Sequence, residues 1–181
     1  MIRRIAEHVV FANERISVRE DEVEFGDGQR STYSLVERRD FVTVLAFEND
    51  GFWLVEQYRY PLGRRLWEFV QGGWPVDVPS REPRELAGIE LAEETGLRAA
   101  SWRHLGRIFA APGGSGQGFD VFLATDLTPG EPQREASEAD MVHRWFGRNE
   151  ITAMIRSGEF ADGHSLAALS LFDAVAGTTL S

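Results

Sequence analysis

The stretch Glu90-Leu91-Ala92-Glu93-Glu94-Thr95-Gly96-Leu97 closes a segment, 83–95, that begins at Pro83 and stops before Gly96. Proline just inside a start and glycine just past an end are the marks of a helix. At ~100° per residue, Glu90, Glu93 and Glu94 fall within an arc of roughly 100°. Leu86 and Ile89 flank that arc on one side and Ala87 and Leu91 on the other, leaving Arg84, Glu85, Gly88 and Thr95 to face outward. Most groups of glutamates form a solvated face. This one sits in the apolar half of its helix, where like charges repel and lose hydration. What it lacks is a cation. Glu90 and Glu94, one turn apart, are spaced to grip a hard divalent ion, and carboxylate oxygens are the ligands magnesium prefers.

Outward from this helix the pattern is that of an α/β chain. Segments 41–47 and 52–58 are nearly all apolar, as strands buried on both faces are, and Asn49-Asp50-Gly51 supplies a tight turn between them. Further strands are expected at 118–124 and 141–146. Helices are expected at 150–157, with Asn149 as cap and Gly158 as stop, and at 165–176. Residues 11–36 read as short antiparallel strands around the turn Gly26-Asp27-Gly28. The expected organisation is therefore an N-terminal β element over 1–40, for packing or dimerisation, and one α/β domain over 41–181.

Composition narrows the function. The chain has 181 residues, no cysteine and a formal net charge of −10. Thiolate metal sites, disulfides and thiol nucleophiles are excluded, and so is a nucleic-acid footprint, because no long Lys/Arg run is present. The start, Met1-Ile2-Arg3-Arg4-Ile5-Ala6-Glu7, lacks an apolar signal core, and no run is long enough to span a membrane, so the cytoplasm is the expected compartment. An acidic protein that handles an anionic phosphate needs a local positive element. A bound divalent cation is one.

With its surroundings the segment resembles the Nudix box, a glycine-rich loop followed by a helix ending in Arg-Glu-apolar-x-Glu-Glu-x-Gly-apolar. Residues 90–97 match its second half. Upstream, Arg59-Tyr60-Pro61 and Leu66-Trp67-Glu68-Phe69-Val70-Gln71-Gly72 are similar to the run before the box in the ADP-ribose pyrophosphatase branch. Downstream, Phe122-Leu123-Ala124 and a Gly158-Glu159 pair between two helices also fit that branch, so the resemblance spans 41–172. It implies a Nudix fold, an α/β/α sandwich with a mixed sheet and a small N-terminal antiparallel sheet, and a homodimer. The implied activity is magnesium-dependent hydrolysis, with manganese as alternative metal, of the pyrophosphate in a nucleoside diphosphate linked to a second group. ADP-ribose, cut to AMP and ribose 5-phosphate, leads. Another nucleotide sugar, a dinucleotide, or a ligand sensor that has lost turnover are the alternatives.

The resemblance also implies roles. Glu90 and Glu94 would hold the metal with the backbone carbonyl of Gln71, and Glu93 would be a further ligand or a base. A carboxylate of the acidic loop 134–140, Glu138 before Glu135, would accept the proton of the attacking water. Arg59 and Arg64 or Arg65 suit bidentate contact with phosphates, and Glu68 would help order the metal shell or a neighbouring loop. Trp74 and Trp102 are candidate platforms for a base, Gly113-Gly114-Ser115-Gly116 reads as a flexible substrate-side loop, and the histidines are read as structural. Two departures stand out. Ile89 replaces the box arginine, and the loop 73–80 is longer than the standard box. Arg81, ahead of Arg84, is the expected source of the missing positive charge.

Overall fold

The structure, a computed structural model, describes residues 1–134 and 138–176. Two sheets are present. In the first, β1 (Arg3–Ala6) and β2 (Val9–Ala12) share one edge of β3 (Ser17–Glu24), and β4 (Arg30–Glu37) runs antiparallel along its other edge. The larger sheet has the order β11-β6-β5-β10-β9, made of β5 (Phe41–Glu48), β6 (Gly51–Arg59), β9 (Arg98–Phe109), β10 (Gly118–Thr128) and β11 (Val142–Gly147). It is mixed, because β10 runs parallel to β5 while its other pairs are antiparallel.

The turn between β5 and β6 forms as expected, with Asn49 and Asp50 at φ 50° and 55°. Past the turn the two strands separate. They pair only from Ala46 to Glu48, and the split is filled by β7 (Arg64–Glu68) on β6 and β8 (Val70–Gly72) on β5. This wedge carries Glu68 and Gln71 into the middle of the sheet.

The alternation of apolar residues explains the layers. Val42, Val44 and Ala46 face α1 (Pro83–Thr95) and its Leu86, Ala87 and Leu91. Leu45, with Phe119 and Val121 of β10, faces the opposite way. There it packs with Ile151 and Met154 of α2 (Arg148–Ser157) and Phe172 of α3 (Gly163–Ala176). Two cores on two faces of one sheet make the expected α/β/α sandwich.

Several boundaries differ from expectation. The strand expected at 141–146 is Val142–Gly147, and α2 begins at Arg148, capped at Gly147, whose N–H donates to Glu150 Oε2 at 3.0 Å, rather than at Asn149. α3 starts earlier, where Asp162 Oδ2 accepts from Ser165 N at 2.8 Å. Strand β9 was not anticipated: it is an edge strand carrying Arg98, Arg103, His104 and Arg107, and water-facing charges hide its alternation. The Gly113–Gly116 segment (113–116) is tied down, since Gly114 O accepts from Val36 N and Gly113 O from Tyr33 Oη, so it serves the N-terminal sheet. Among the described residues, no helix is long and apolar enough to cross a membrane.

Candidate functional site

Helix α1 ends where Gly96 takes a positive φ of 77°, returning its N–H to Ala92 O. Glu94, in the last turn of α1, is buried at 1% exposure. Neither of its carboxylate oxygens has a hydrogen-bond partner among the described residues. Burial, then the negative charges of Glu90, Glu138 and Glu68, push its pKa well above the usual carboxylate range, and Arg59 opposes them. An orphaned buried carboxylate among three others is a group waiting for positive charge.

Glu90 approaches from the same helix and lies against Gly72 of β8, where a Cβ on that glycine would overlap its carboxylate. Only glycine lets the helix sit this close to the strand. The site therefore brings Glu90, Glu94 and the Gln71–Gly72 backbone together at the junction of α1 and β8. This set suits a hard cation: magnesium takes one or two carboxylates and keeps several waters, so a third protein carboxylate is not required. Among the described residues no three His, Cys, Asp or Glu side chains form a ready-made shell.

Arg59, the last residue of β6, donates through Nε and Nη2 to Glu68 Oε1 and Oε2 at 2.9 and 2.6 Å. Glu68 has no exposed surface. Both of its carboxylate oxygens are engaged by Arg59. Burial raises its pKa, against the pull of Arg59. Burial works to lower the Arg59 guanidinium, but the pair with Glu68, helped by Asp162 and Glu94, leaves it above its ordinary value. The side chain of Gln71 is also structural: Nε2 donates to Asp162 Oδ2 at 2.7 Å and Ser165 Oγ at 3.1 Å.

The other candidates scatter. Arg64 stands opposite Arg59 in the ladder and is exposed. Arg65 pairs with Glu56 and Asp140. Glu93 is half-buried, its carbonyl accepting from Gln133 N at 2.9 Å. Glu138 is half-buried in a short turn and acts on Glu94 electrostatically, while Glu135 lies outside the described residues. Arg81 pairs with Glu85 at 2.9 Å, both side chains being largely exposed. Arg84 covers the ring of Trp102 at 3.8 Å, which removes that face as a platform for a base. Ile89 is itself 36% exposed.

A cavity of about 1030 Å³ opens beside the Gly72 wall, lined among others by Arg38, Arg39, Arg59, Trp74, Asp162 and His164. Its size suits a substantial small molecule. Arg39 and Asp162 were not anticipated from sequence, because nothing local marks a residue whose partners lie 35 and 91 positions away.

A family model described as the NUDIX domain matches residues 37–169. An ADP-ribose pyrophosphatase of Mycobacterium tuberculosis is 35% identical over 161 residues, covering 88% of this chain and 77% of that protein. Another, from Bacillus subtilis, is 31% identical over 141 residues, covering 77% and 75%. A methanol dehydrogenase activator of Bacillus methanolicus is 28% identical, covering 74% and 71%. A solved structure titled as an ADP compounds hydrolase superposes with a TM-score of 0.85 over 99% of this chain and 97% of that one; at 20% identity this likeness concerns the fold.

Proposed function

The chain belongs to the NUDIX family as a Nudix hydrolase of the ADP-ribose pyrophosphatase-like branch, and on that premise we propose that it hydrolyses ADP-ribose to AMP and ribose 5-phosphate with magnesium. Manganese is the alternative metal. The observation that carries the reading is Glu94, buried with both oxygens unbonded among the described residues and lying one turn from Glu90.

Glu90 and Glu94 would hold the metal, with the Gln71 carbonyl beside them. When bound, the cation supplies the charge that neutralises phosphate oxygens. Arg59, fixed by Glu68, turns its remaining N–H groups to a phosphate oxygen and lines the cavity. Glu138, close enough to act on Glu94, accepts the proton of the attacking water, with Glu93 as the next candidate. The site wall at Gly72 lets the diphosphate lie across the junction of β8 and α1.

Two further elements belong to the reading. The N-terminal sheet exposes Val9, Val10 and Phe11 by more than half, an apolar run suited to a second copy of the chain, so the protein works as a homodimer. Its place is the cytoplasm. The absent box arginine favours one other outcome, binding without turnover. Purified protein with magnesium and a panel of ADP-ribose, other nucleotide sugars and dinucleotides separates them. AMP release from ADP-ribose, lost in Glu94→Gln, is the expected result; binding with no cleavage of any compound would sink the hydrolytic reading.

A further inference from the structure

Asp162 and His164 stand on either side of Gly163, the first residue of α3, and both line the cavity that Arg59 and Gln71 also line. One carboxylate oxygen of Asp162 is engaged within the protein. Its Oδ2 accepts from Gln71 Nε2 at 2.7 Å and from Ser165 N at 2.8 Å, so it caps the helix. The other oxygen, Oδ1, lies 3.8 Å from His164 Nδ1, too far for a hydrogen bond, and accepts none among the described residues. The His164 ring meets Phe41 and Phe119 edge-on, with centroids 5.0 and 5.2 Å away, and those two rings stack on each other at 4.8 Å. The carboxylate and the imidazole are therefore each held by other contacts. Their side chains keep 18% and 38% exposure, which leaves them within reach of a molecule in the cavity.

An acceptor and a ring nitrogen at this spacing are matched by a hydroxyl group. A hydroxyl oxygen about 2.8 Å from each bridges them, donating its hydrogen to Oδ1 and accepting from the imidazole in its Nδ1–H form. The pair also lies near Arg59. Glu68 Oε2 accepts from Arg59 Nη2 at 2.6 Å and from Gln71 Nε2 at 3.4 Å, and the same Nε2 reaches Asp162. In a nucleoside diphosphate sugar the group joined directly to phosphate is a sugar, and the base lies one ring further off. Phe41 adds apolar surface beside the pair for the carbon side of that ring. Resting on the hydrolytic reading above, we propose that Asp162 is a specificity-determining residue that accepts a hydrogen bond from a ribose hydroxyl of the substrate, with His164 donating to the same oxygen. By engaging Oδ2, Gln71 and Ser165 leave Oδ1 as the oxygen that meets the ligand. The ribose of the nucleoside and that of the second group share this chemistry.

The test is kcat/KM of the full chain, with saturating magnesium, on a series of related compounds. These are ADP-ribose, ADP-ribose without the hydroxyls of its terminal sugar, ADP-ribose without the 2′- and 3′-hydroxyls of its adenosine, and IDP-ribose. Asp162→Asn keeps an oxygen to cap α3. It is expected to lower kcat/KM for ADP-ribose by about ten- to a hundredfold, the scale of a lost hydrogen bond to a charged group. On one of the two deoxy compounds wild type is slowed to a similar degree and the substitution costs nothing further, and that compound identifies the ribose. IDP-ribose, whose base carries a carbonyl where adenine has its amino group, responds as ADP-ribose does. His164→Phe keeps a ring against Phe41 and Phe119, gives a smaller loss with the same pattern, and carries the comparison should Asp162→Asn not fold. Equal losses on every compound mean that Asp162 only caps α3, and overturn the proposal. So does a loss absent from IDP-ribose alone, the mark of a base reader, and so does an unchanged kcat/KM. If wild type cleaves another diphosphate and not ADP-ribose, the substrate assignment fails and the series is built on that compound. If it cleaves none, the hydrolytic reading fails and dissociation constants of the same compounds read the pattern; binding of none overturns both.

Discussion

The carboxylate of Glu90 fills the space in which a side chain on Gly72 would begin. The strand and α1 are thus interlocked at a position where only hydrogen fits. Gly72→Ala is expected to push Glu90 out of register and weaken the proposed metal site. Activity titrated with magnesium should show a half-maximal concentration raised by about tenfold, the scale of a perturbed metal environment. An unchanged titration would mean that Glu90 relaxes without consequence and is no ligand.

Glu94 offers a stability test as well as an activity test. Its folded-state pKa is raised, chiefly by burial, so its favourable contribution is present below the unfolded value near 4.5 and is lost as pH rises through the higher folded value. In chelator at neutral pH the charged group is therefore a liability. Glu94→Gln should melt about 2–4 °C higher than wild type under those conditions, while hydrolysis is abolished. Magnesium should raise the melting temperature of wild type and leave the variant unmoved. A lower melting temperature for the variant in chelator would contradict the assignment.

The Arg59–Glu68 pair predicts a different pattern. Removing the arginine alone leaves Glu68 buried without its partner, a loss of about 3 kcal/mol for a pair of this kind. Arg59→Met should show it in urea unfolding. Arg59→Met combined with Glu68→Leu should regain most of that stability and none of the activity, because the proposed phosphate contact goes with the arginine. Activity in the double variant would show that Arg59 is only structural.

His143 gives a pH dependence with a definite sign. Burial and then the nearby charge of Arg134 lower its pKa below 6.5. Its contribution is present above the unfolded value and lost as pH falls through the folded one, as the unfolded chain takes up the proton first. Denaturation midpoints of wild type should fall more steeply below pH 6.5 than those of His143→Asn, whose amide oxygen still accepts from Arg134. Parallel profiles would refute this.

What was legible in the sequence was legible because it is local. Helix α1 spans 83–95 as read, since proline and glycine mark both ends, and the hairpin at Asn49 and Asp50 follows from residues that tolerate positive φ. The acids of the site share one helix, so spacing alone reveals them. The wheel fails at its ends. Thr95, read as outward-facing, is buried at 1%, because its Oγ1 donates back to Leu91 O at 2.5 Å and accepts from Leu97 N at 3.1 Å, fixing the exit of the chain. The arginine contacts were not legible. Arg134 is 40 residues from Glu94 and Arg65 is 75 from Asp140, distances only the fold closes. Glu68 was read as a site residue; its complete burial and its pairing with Arg59 are features no motif reports.

Arg39 Nη1 donates to the carbonyls of Trp74, Pro75 and Val78, gathering the long loop that forms one wall of the cavity. The arginine grips only main chain, so the hold is indifferent to which side chains the loop displays. Residues such as Val76 and Asp77 are free to be exchanged while the loop keeps its course, and the wall facing the ligand becomes a surface whose chemistry can be rewritten without refolding the enzyme. One guanidinium thus separates the shape of the wall from its selectivity.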